Sequence, residues 1–280
     1  MKTTVNNIIP FSSVDGPGNR TAVFLQGCNI DCKYCHNPET RKLCVRCGKC
    51  VETCPAGALG RNEQGAITYD IGKCIKCDTC IHVCPHDSSP RTREMTPEEV
   101  YRVVKKQLPY IRGITVSGGE CMLQPQFLEE LFLFAKKDGL ETLIDSNGTI
   151  PFWHYERLLE VTDGVMLDIK AYDEADHIHV TGYSNKTVLQ NARYLMEHSK
   201  LDEVRMVVVQ DLYDAAQSVR KTGEWLSGYA DGGKVRIKLI SYRPIGVRET
   251  YSHYQIPTQE FMEYLAGILK SYGLENVTIV

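Results

Sequence analysis

Past residue 90 the chain alternates between short apolar runs and stretches with helical periodicity. Thr96-Pro97-Glu98-Glu99 reads as an N-cap, with Pro at the first helical position and Glu three residues after the cap, opening a helix to about Leu108. Residues 113–116 then read as a strand, and 126–137 as a helix stopped by Gly139. The same order recurs as strand 141–145 and helix 152–161, strand 164–170 and helix 186–198, strand 204–209 and helix 214–226. Strand 235–240 and helix 258–272 follow, with a last apolar stretch over 277–280. Upstream, 21–26 is a β-branched and aromatic run, entered through a Gly/Pro turn over 13–20. Counting that run, six strands stand in βα order. Short, mostly apolar strands suit a parallel sheet buried on both faces. A closed eight-stranded barrel would need more repeats, so the pattern predicts an α/β fold with a partial (βα)6 TIM-like barrel.

Residues 43–87 break the pattern. Cys44, Cys47, Cys50 and Cys54 precede Pro55, and the same spacing returns thirty positions on as Cys74, Cys77, Cys80 and Cys84 before Pro85. Each half is C-x2-C-x2-C-x3-C-P, the bacterial ferredoxin run. Zinc ribbons also use C-x2-C pairs, but the doubled register of eight cysteines counts against them. The expected organisation is a barrel domain over 1–42 and 88–280, with a ferredoxin-like double-cluster domain inserted over 43–87. A loop tolerates such an insert when the insert's ends lie close together.

Composition narrows the setting. At 280 residues the chain can bury a large core, and its net charge of −3 carries no basic stripe of the kind nucleic acid requires. No run of about 18 apolar residues and no signal-like start is visible, so a soluble, cytoplasmic protein is expected. Twelve cysteines in a chain of this length, clustered as C-x2-C, read as metal ligation in a reducing compartment. Exposed clusters are oxygen-labile, so anaerobic or oxygen-limited use is expected.

A third cysteine set carries the most specific chemistry. Cys28, Cys32 and Cys35 lie in a C-x3-C-x2-C run at the C-terminal end of the first βα strand, with no fourth cysteine in reach. Clusters normally take four thiolates, so three leave one iron open, as a catalytic metal keeps a vacant position. A zinc knuckle with His36 as fourth ligand is the alternative. Further motifs follow later strands. Ser117-Gly118-Gly119-Glu120 offers close backbone approach to a ligand and a carboxylate for an ammonium, or is a tight turn. Asp145-Ser146-Asn147-Gly148 and Met166-Leu167-Asp168-Ile169-Lys170 bring two carboxylates toward one mouth, where they would need Lys170 or a metal ion. Taken separately they are turn chemistry and a surface ion pair. Arg205 points into the same mouth or makes an exterior salt bridge. Cys121 fits no run and reads as a small buried residue.

Asp15-Gly16-Pro17-Gly18-x-Arg20, Gly27-Cys28-x3-Cys32-x-Tyr34-Cys35-His36-Asn37, Gly118-Gly119-Glu120, Asp145-Ser146-Asn147-Gly148 and Asp168-Ile169-Lys170 together resemble the glycyl-radical-enzyme activating enzymes of the radical S-adenosylmethionine (SAM) superfamily. With its doubled ferredoxin run the chain is similar to the YjjW type, whose partner is the glycyl radical protein YjjI. The resemblance implies three 4Fe-4S clusters: one on Cys28, Cys32 and Cys35, one on Cys44, Cys47, Cys50 and Cys84, and one on Cys74, Cys77, Cys80 and Cys54. It implies that Gly118, Gly119 and Glu120 meet the methionine amino group of SAM, and that Ser146, Asn147, Asp168, Lys170 and Arg205 complete the cofactor pocket. Asp145, Ser146, Asp168 and the Met166 backbone would hold a monovalent cation. No side chain acts as a catalyst beyond cluster and cofactor. A flavodoxin or ferredoxin would supply electrons, with no nucleic acid or membrane involved. Family members often carry a His on the last barrel strand. Here the stretch is Ser241-Tyr242-Arg243-Pro244. The competing readings are a radical SAM enzyme acting on a small molecule or on anaerobic ribonucleotide reductase, and a non-catalytic ferredoxin-type electron carrier.

Overall fold

The computed structural model describes residues 1–280. Its strands are β1 (Thr3–Ser12), β2 (Arg20–Leu25), β3 (Leu59–Arg61), β4 (Ile67–Tyr69), β5 (Arg93–Met95), β6 (Gly113–Gly118), β7 (Glu141–Ser146), β8 (Gly164–Asp168), β9 (Leu201–Val208), β10 (Arg236–Ser241) and β11 (Val277–Ile279). Its helices are α1 (Lys49–Glu52), α2 (Thr79–His82), α3 (Pro97–Lys105), α4 (Pro125–Lys137), α5 (Glu156–Glu160), α6 (Glu174–Thr181), α7 (Lys186–Glu197), α8 (Ala215–Ser227) and α9 (Gln259–Ser271).

One nine-stranded sheet has the order β11-β10-β9-β8-β7-β6-β2-β1-β5. From β2 to β11 every neighbouring pair is parallel. Each crossover moves one place in the same direction. Right-handed crossovers therefore stack the helices on one face, and the sheet curls around the other without closing. Alternation along the strands separates the two faces. Val23, Val116, Ile144, Leu167, Met206 and Leu239 are fully buried in the core that the helices cover. The opposite set faces the hollow and is mixed, with Arg20, Thr115, Asp145, Glu203 and Arg205 beside Phe24, Met166, Val207 and Ile240. The strands are thus not apolar on both sides as their composition implied.

The periodic reading placed the βα units within a few residues, and the Thr96 box is present: Thr96 N–H donates to Glu99 Oε2 at 2.8 Å, and Glu99 N–H to Thr96 Oγ1 at 3.2 Å. Four features differ. The parallel strands number seven rather than six, because the terminal stretch pairs with β10. β1 was not among the expected strands; Pro10 and two Asn hide its alternation, and the Pro is accommodated at a register shift between Ile9 and Ser12. The 152–161 helix divides at Tyr155 into a 3-10 turn, Phe152–His154, and α5. Helix α6 was missed, although Asp173 caps it and Gly182, at φ 75°, ends it.

Between β2 and β5 the chain leaves the sheet to form the cysteine-rich block. Two four-residue helices, α1 and α2, and the β3–β4 hairpin pack on Cys50, Leu59 and Cys80, against 53 residues in the main core. The repeat is visible in the backbone. Arg46 and Lys76 both have positive φ, as do Gly48 and Asp78, each pair thirty positions apart. The block's ends meet where Lys42 N–H donates to the Asp87 carbonyl at 3.1 Å.

Asn191, fully buried on α7, accepts from Phe152 N–H at 2.9 Å and donates to the Gly148 and Ile150 carbonyls at 2.7 and 2.8 Å, pinning the loop after β7. Asn191→Leu strands these groups without partners and should cost about 3 kcal/mol in urea unfolding. A loss within the roughly 0.5 kcal/mol of an inert surface change would contradict that role.

Candidate functional site

The three-cysteine loop begins where β2 ends. Gly27, at φ 108°, turns the chain; its N–H donates to the Thr40 carbonyl and Cys28 N–H to the Arg41 carbonyl, both at 2.8 Å, so the loop returns onto its own start. Asp31 N–H and Lys33 N–H reach the Thr181 and Val180 carbonyls at 2.9 and 3.0 Å, anchoring the loop to the last turn of α6. The helix missed in the sequence is therefore one support of the cysteines.

Gly118 and Gly119 form the next support. A Cβ on Gly118 would lie 2.1 Å from the Leu25 carbonyl oxygen, and one on Gly119 2.2 Å from that of Gly27. Gly119 N–H and Glu120 N–H bond these same carbonyls at 3.0 and 2.8 Å. The glycines are required first by the end of the cysteine-bearing strand, and only then by any ligand. Glu120 turns away from the hollow. Its carboxylate accepts from Asn147 N–H at 2.7 Å and from Ser146 Oγ and Met122 N–H at 2.9 Å. Burial pushes its pKa up to about 7 against those three donated bonds.

The loop after β7 closes the ring. Asn147 Nδ2 lies 3.2 Å from Asn29 Oδ1 and 3.7 Å from Cys28 Sγ, and Asn29 Nδ2 donates to Thr149 Oγ1 at 2.7 Å. Asp145 accepts from Ser117 Oγ at 2.8 Å and Arg205 Nη1 at 2.9 Å. Burial raises the Asp145 carboxyl, with Arg205 opposing it. Arg205 is further held by Glu203 at 2.6 Å and by Met166 Sδ at 3.1 Å. Glu203, almost fully buried, also binds Arg236 at 2.6 Å. Asp168 accepts from Lys170 Nζ at 2.7 Å. Burial works against the Lys170 ammonium, but the Asp168 carboxylate beside it more than offsets this and keeps it charged.

These groups share one cavity of about 300 Å³, lined among others by Cys28, Cys32, Cys35, Gly118, Gly119, Asp145, Ser146, Asn147, Asp168, Lys170 and Arg205. Glu120 and Met166 are the expected residues outside that wall. Asp15, Phe24, Val207 and Ile240 line it without having been singled out as ligand contacts; Asp15 belonged to a recognised motif, whereas an apolar strand residue carries no such signal. Arg205 points inward, which alternation alone left undecided. Asp145 and Asp168 meet Arg205 and Lys170, and no three His, Cys, Asp or Glu side chains close on one point as around a single metal ion. His36 Nε2 is buried without a partner. Burial raises the thiols of Cys28 to about 11, Cys32 to about 12, and Cys35 as well. Ligation must therefore displace protons from them.

In the block, one small cavity of about 20 Å³ is lined by Cys44, Cys47, Cys50 and Cys84, and another of about 20 Å³ by Cys54, Cys74, Cys77 and Cys80. The crossed sets thus surround two separate spaces. Cys121 is fully buried, its Sγ 3.3 Å from the Asp145 carbonyl.

A family model, the Radical SAM superfamily, matches residues 22–214. The chain is 31% identical over 267 residues to the choline trimethylamine-lyase activating enzyme of Oleidesulfovibrio alaskensis, spanning 88% of this chain and 85% of that protein. It is 33% identical over 251 residues to the pyruvate formate-lyase-activating enzyme of Streptococcus mutans, spanning 86% and 78%. The fold resembles the crystal structure of a domain of pyruvate-formate lyase-activating enzyme from Bacteroides vulgatus, with a TM-score of 0.51 and 21% identity over 60% of this chain and 98% of that one.

Two outcomes follow from this geometry. Gly119→Ala should drive apart the ends of β2 and β6 and lower iron bound at Cys28, Cys32 and Cys35 while sparing the block; iron analysis with electron paramagnetic resonance (EPR) reads both. Glu120 holds its proton more tightly folded, near 7, than unfolded, near 4.5. Its contribution to stability is therefore greatest below the lower value and declines as pH rises through that window. Thermal melts across it should show a downward slope that Glu120→Gln lacks.

Proposed function

The chain belongs to the radical SAM superfamily, within it to the activating enzymes of glycyl radical enzymes, and on that premise we propose how its residues divide the work. The observation that carries the reading is the single cavity at the C-terminal ends of β2, β6, β7, β8 and β9, where three thiols without a fourth meet the backbone of Gly118 and Gly119, three carboxylates and three cations. Ligands collect at that edge of parallel barrels.

Cys28, Cys32 and Cys35 fit the protein ligands of one 4Fe-4S cluster with an open iron. When bound there, the cluster and SAM would supply the one-electron reductive chemistry for abstracting the Cα hydrogen of a glycine in the partner's loop, with the electron coming from an external donor. The backbone of Gly118 and Gly119 presents the wall for the methionine amino group, with Glu120 fixing Ser146 and Asn147 behind it. Lys170 and Arg205 supply positive charge for a carboxylate, and Asp145, Glu203 and Asp168 hold them in place. A monovalent cation on Asp145, Ser146, Asp168 and the Met166 carbonyl is the alternative use of those carboxylates, and it would displace Arg205 or Lys170. Phe24, Ile30, Val207 and Ile240 give the cavity an apolar side that excludes water from a reactive radical. The residues position, and the cofactors carry the chemistry.

Residues 43–87 form the ferredoxin-like insert in this reading, with 4Fe-4S clusters on Cys44, Cys47, Cys50 and Cys84 and on Cys74, Cys77, Cys80 and Cys54. The two thiol-lined cavities support that assignment. The clusters relay electrons from a flavodoxin or ferredoxin to the three-cysteine site. The partner is a glycyl radical enzyme of the YjjI type, and the setting is an anaerobic cytoplasm.

Incubated anaerobically with reductant and SAM, the enzyme should release 5′-deoxyadenosine, and a candidate partner added with it should show the glycyl EPR doublet. Deoxyadenosine without the doublet in any glycyl radical partner, alongside a modified small molecule, would overturn the activase reading. Cys28→Ala should abolish deoxyadenosine release while leaving the block's iron in place. Cys74→Ser should keep SAM binding and slow turnover with the protein donor. An unchanged rate would sink the relay.

A further inference from the structure

The loop after β10 closes over the three-cysteine loop from the far end of the sheet, and two independent contacts fasten it. Gly246, at φ 83°, lies so near His36 that an added Cβ would be 2.4 Å from the His36 carbonyl oxygen. Two residues on, Arg248 Nη2 donates to the Cys32 carbonyl at 3.0 Å and pairs with Asp31.

Arg248 does not act alone. Its Nη1 lies 3.8 Å from Asp87, at the end of the cysteine-rich block. Arg41 spans the same two carboxylates, at 2.9 Å to Asp31 and 2.7 Å to Asp87. Two arginines and two aspartates thus alternate in a quartet drawn from three chain segments. Asp31 is beside Cys32, and Asp87 is three residues beyond Cys84. Arg41 is nearly buried, and its carbonyl accepts the Cys28 N–H. Nε of Arg41 and of Arg248 is buried without a hydrogen-bond partner, so each guanidinium reaches the two carboxylates through its Nη atoms alone. Forked guanidiniums suit such paired carboxylate recognition and hold orientation as well as charge.

We propose that Asp31, Arg41, Asp87 and Arg248, with Gly246 seated on His36, form a clasp that fixes the cysteine-rich block against the three-cysteine loop. Arg41 and Arg248 are positioning residues for electron passage between the two. The electron-passage role rests on the relay reading above; the mechanical coupling does not. Without the clasp the block is tethered to the barrel by the chain at Lys42 and Asp87–Ser88 and by the Arg91–Asp78 ion pair at 2.8 Å on its other half, and the cysteine sets would be held less firmly at one separation.

The test uses the fully reconstituted enzyme as wild type, Arg248→Ala, Arg248→Lys and Cys74→Ser. Amide hydrogen exchange is followed at 30–36 and 86–89, and deoxyadenosine formation is measured with dithionite and with reduced flavodoxin. In Arg248→Ala, exchange should rise about tenfold in both segments at unchanged iron content. The flavodoxin-to-dithionite rate ratio should fall, and Arg248→Lys, which keeps the charge but not the fork, should restore part of it. Exchange that rises only within 245–251, or nowhere, overturns the clasp, and equal slowing with both donors overturns its positioning role. Cys74→Ser separates the readings. If it leaves the flavodoxin rate untouched while Arg248→Ala loosens both segments, the relay falls and the mechanical clasp stands.

Discussion

The ends of β2 and β6 meet backbone to backbone, with no side chain between them. Gly118 and Gly119 lie so close to the Leu25 and Gly27 carbonyls that any Cβ would collide, and two hydrogen bonds close the gap. This contact fixes the direction in which the chain leaves β2, and so the start of the cysteine loop. It also places Glu120 under the loop after β7, whose Asn147 reaches Cys28. One close approach therefore sets three strand ends relative to one another, and the cavity is what remains between them.

Inside the curl, charge is arranged in alternation. Asp145, Arg205, Glu203 and Arg236 form a buried chain of opposite neighbours, with Asp202 at its outer end. Burying any one of them alone would be costly, and pairing them offsets the desolvation only when the geometry is good. Such a chain adds little net stability for its size. It does hold the Arg205 guanidinium at one angle in the cavity, which a substrate-positioning group needs.

The cysteine-rich block rests on different physics. Its local core is Cys50, Leu59 and Cys80, two of which are themselves expected ligands. A core of that size cannot hold forty-odd residues in place by burial. The thiol-lined spaces it surrounds are where binding energy would become folding energy. In the proposed clasp the Arg–Asp quartet ties this weakly cored unit to the three-cysteine loop, so that metal binding in the block would reinforce its docking to the barrel.

The chemistry was legible in the chain itself, because ligand sets and glycine turns are local in sequence. C-x3-C-x2-C, the doubled ferredoxin run and the Gly-Gly-Glu and Asp-Ser-Asn-Gly turns announce themselves by spacing, and the alternating apolar runs announce the parallel sheet. Tertiary structure alone decided how they are used. Only the curl of the sheet turned Arg205 inward and set it on Asp145. Only the approach of β6 to β2 showed that Gly118 and Gly119 serve the backbone first and that Glu120 faces a loop. Helix α6, whose Asp and Gly caps were readable, became a support of the cysteines solely through where it packs. Residues such as Asp31, Asp87 and Arg248 carry no motif, because long-range pairing between charges depends on the path of the chain between them, and spacing does not record that path.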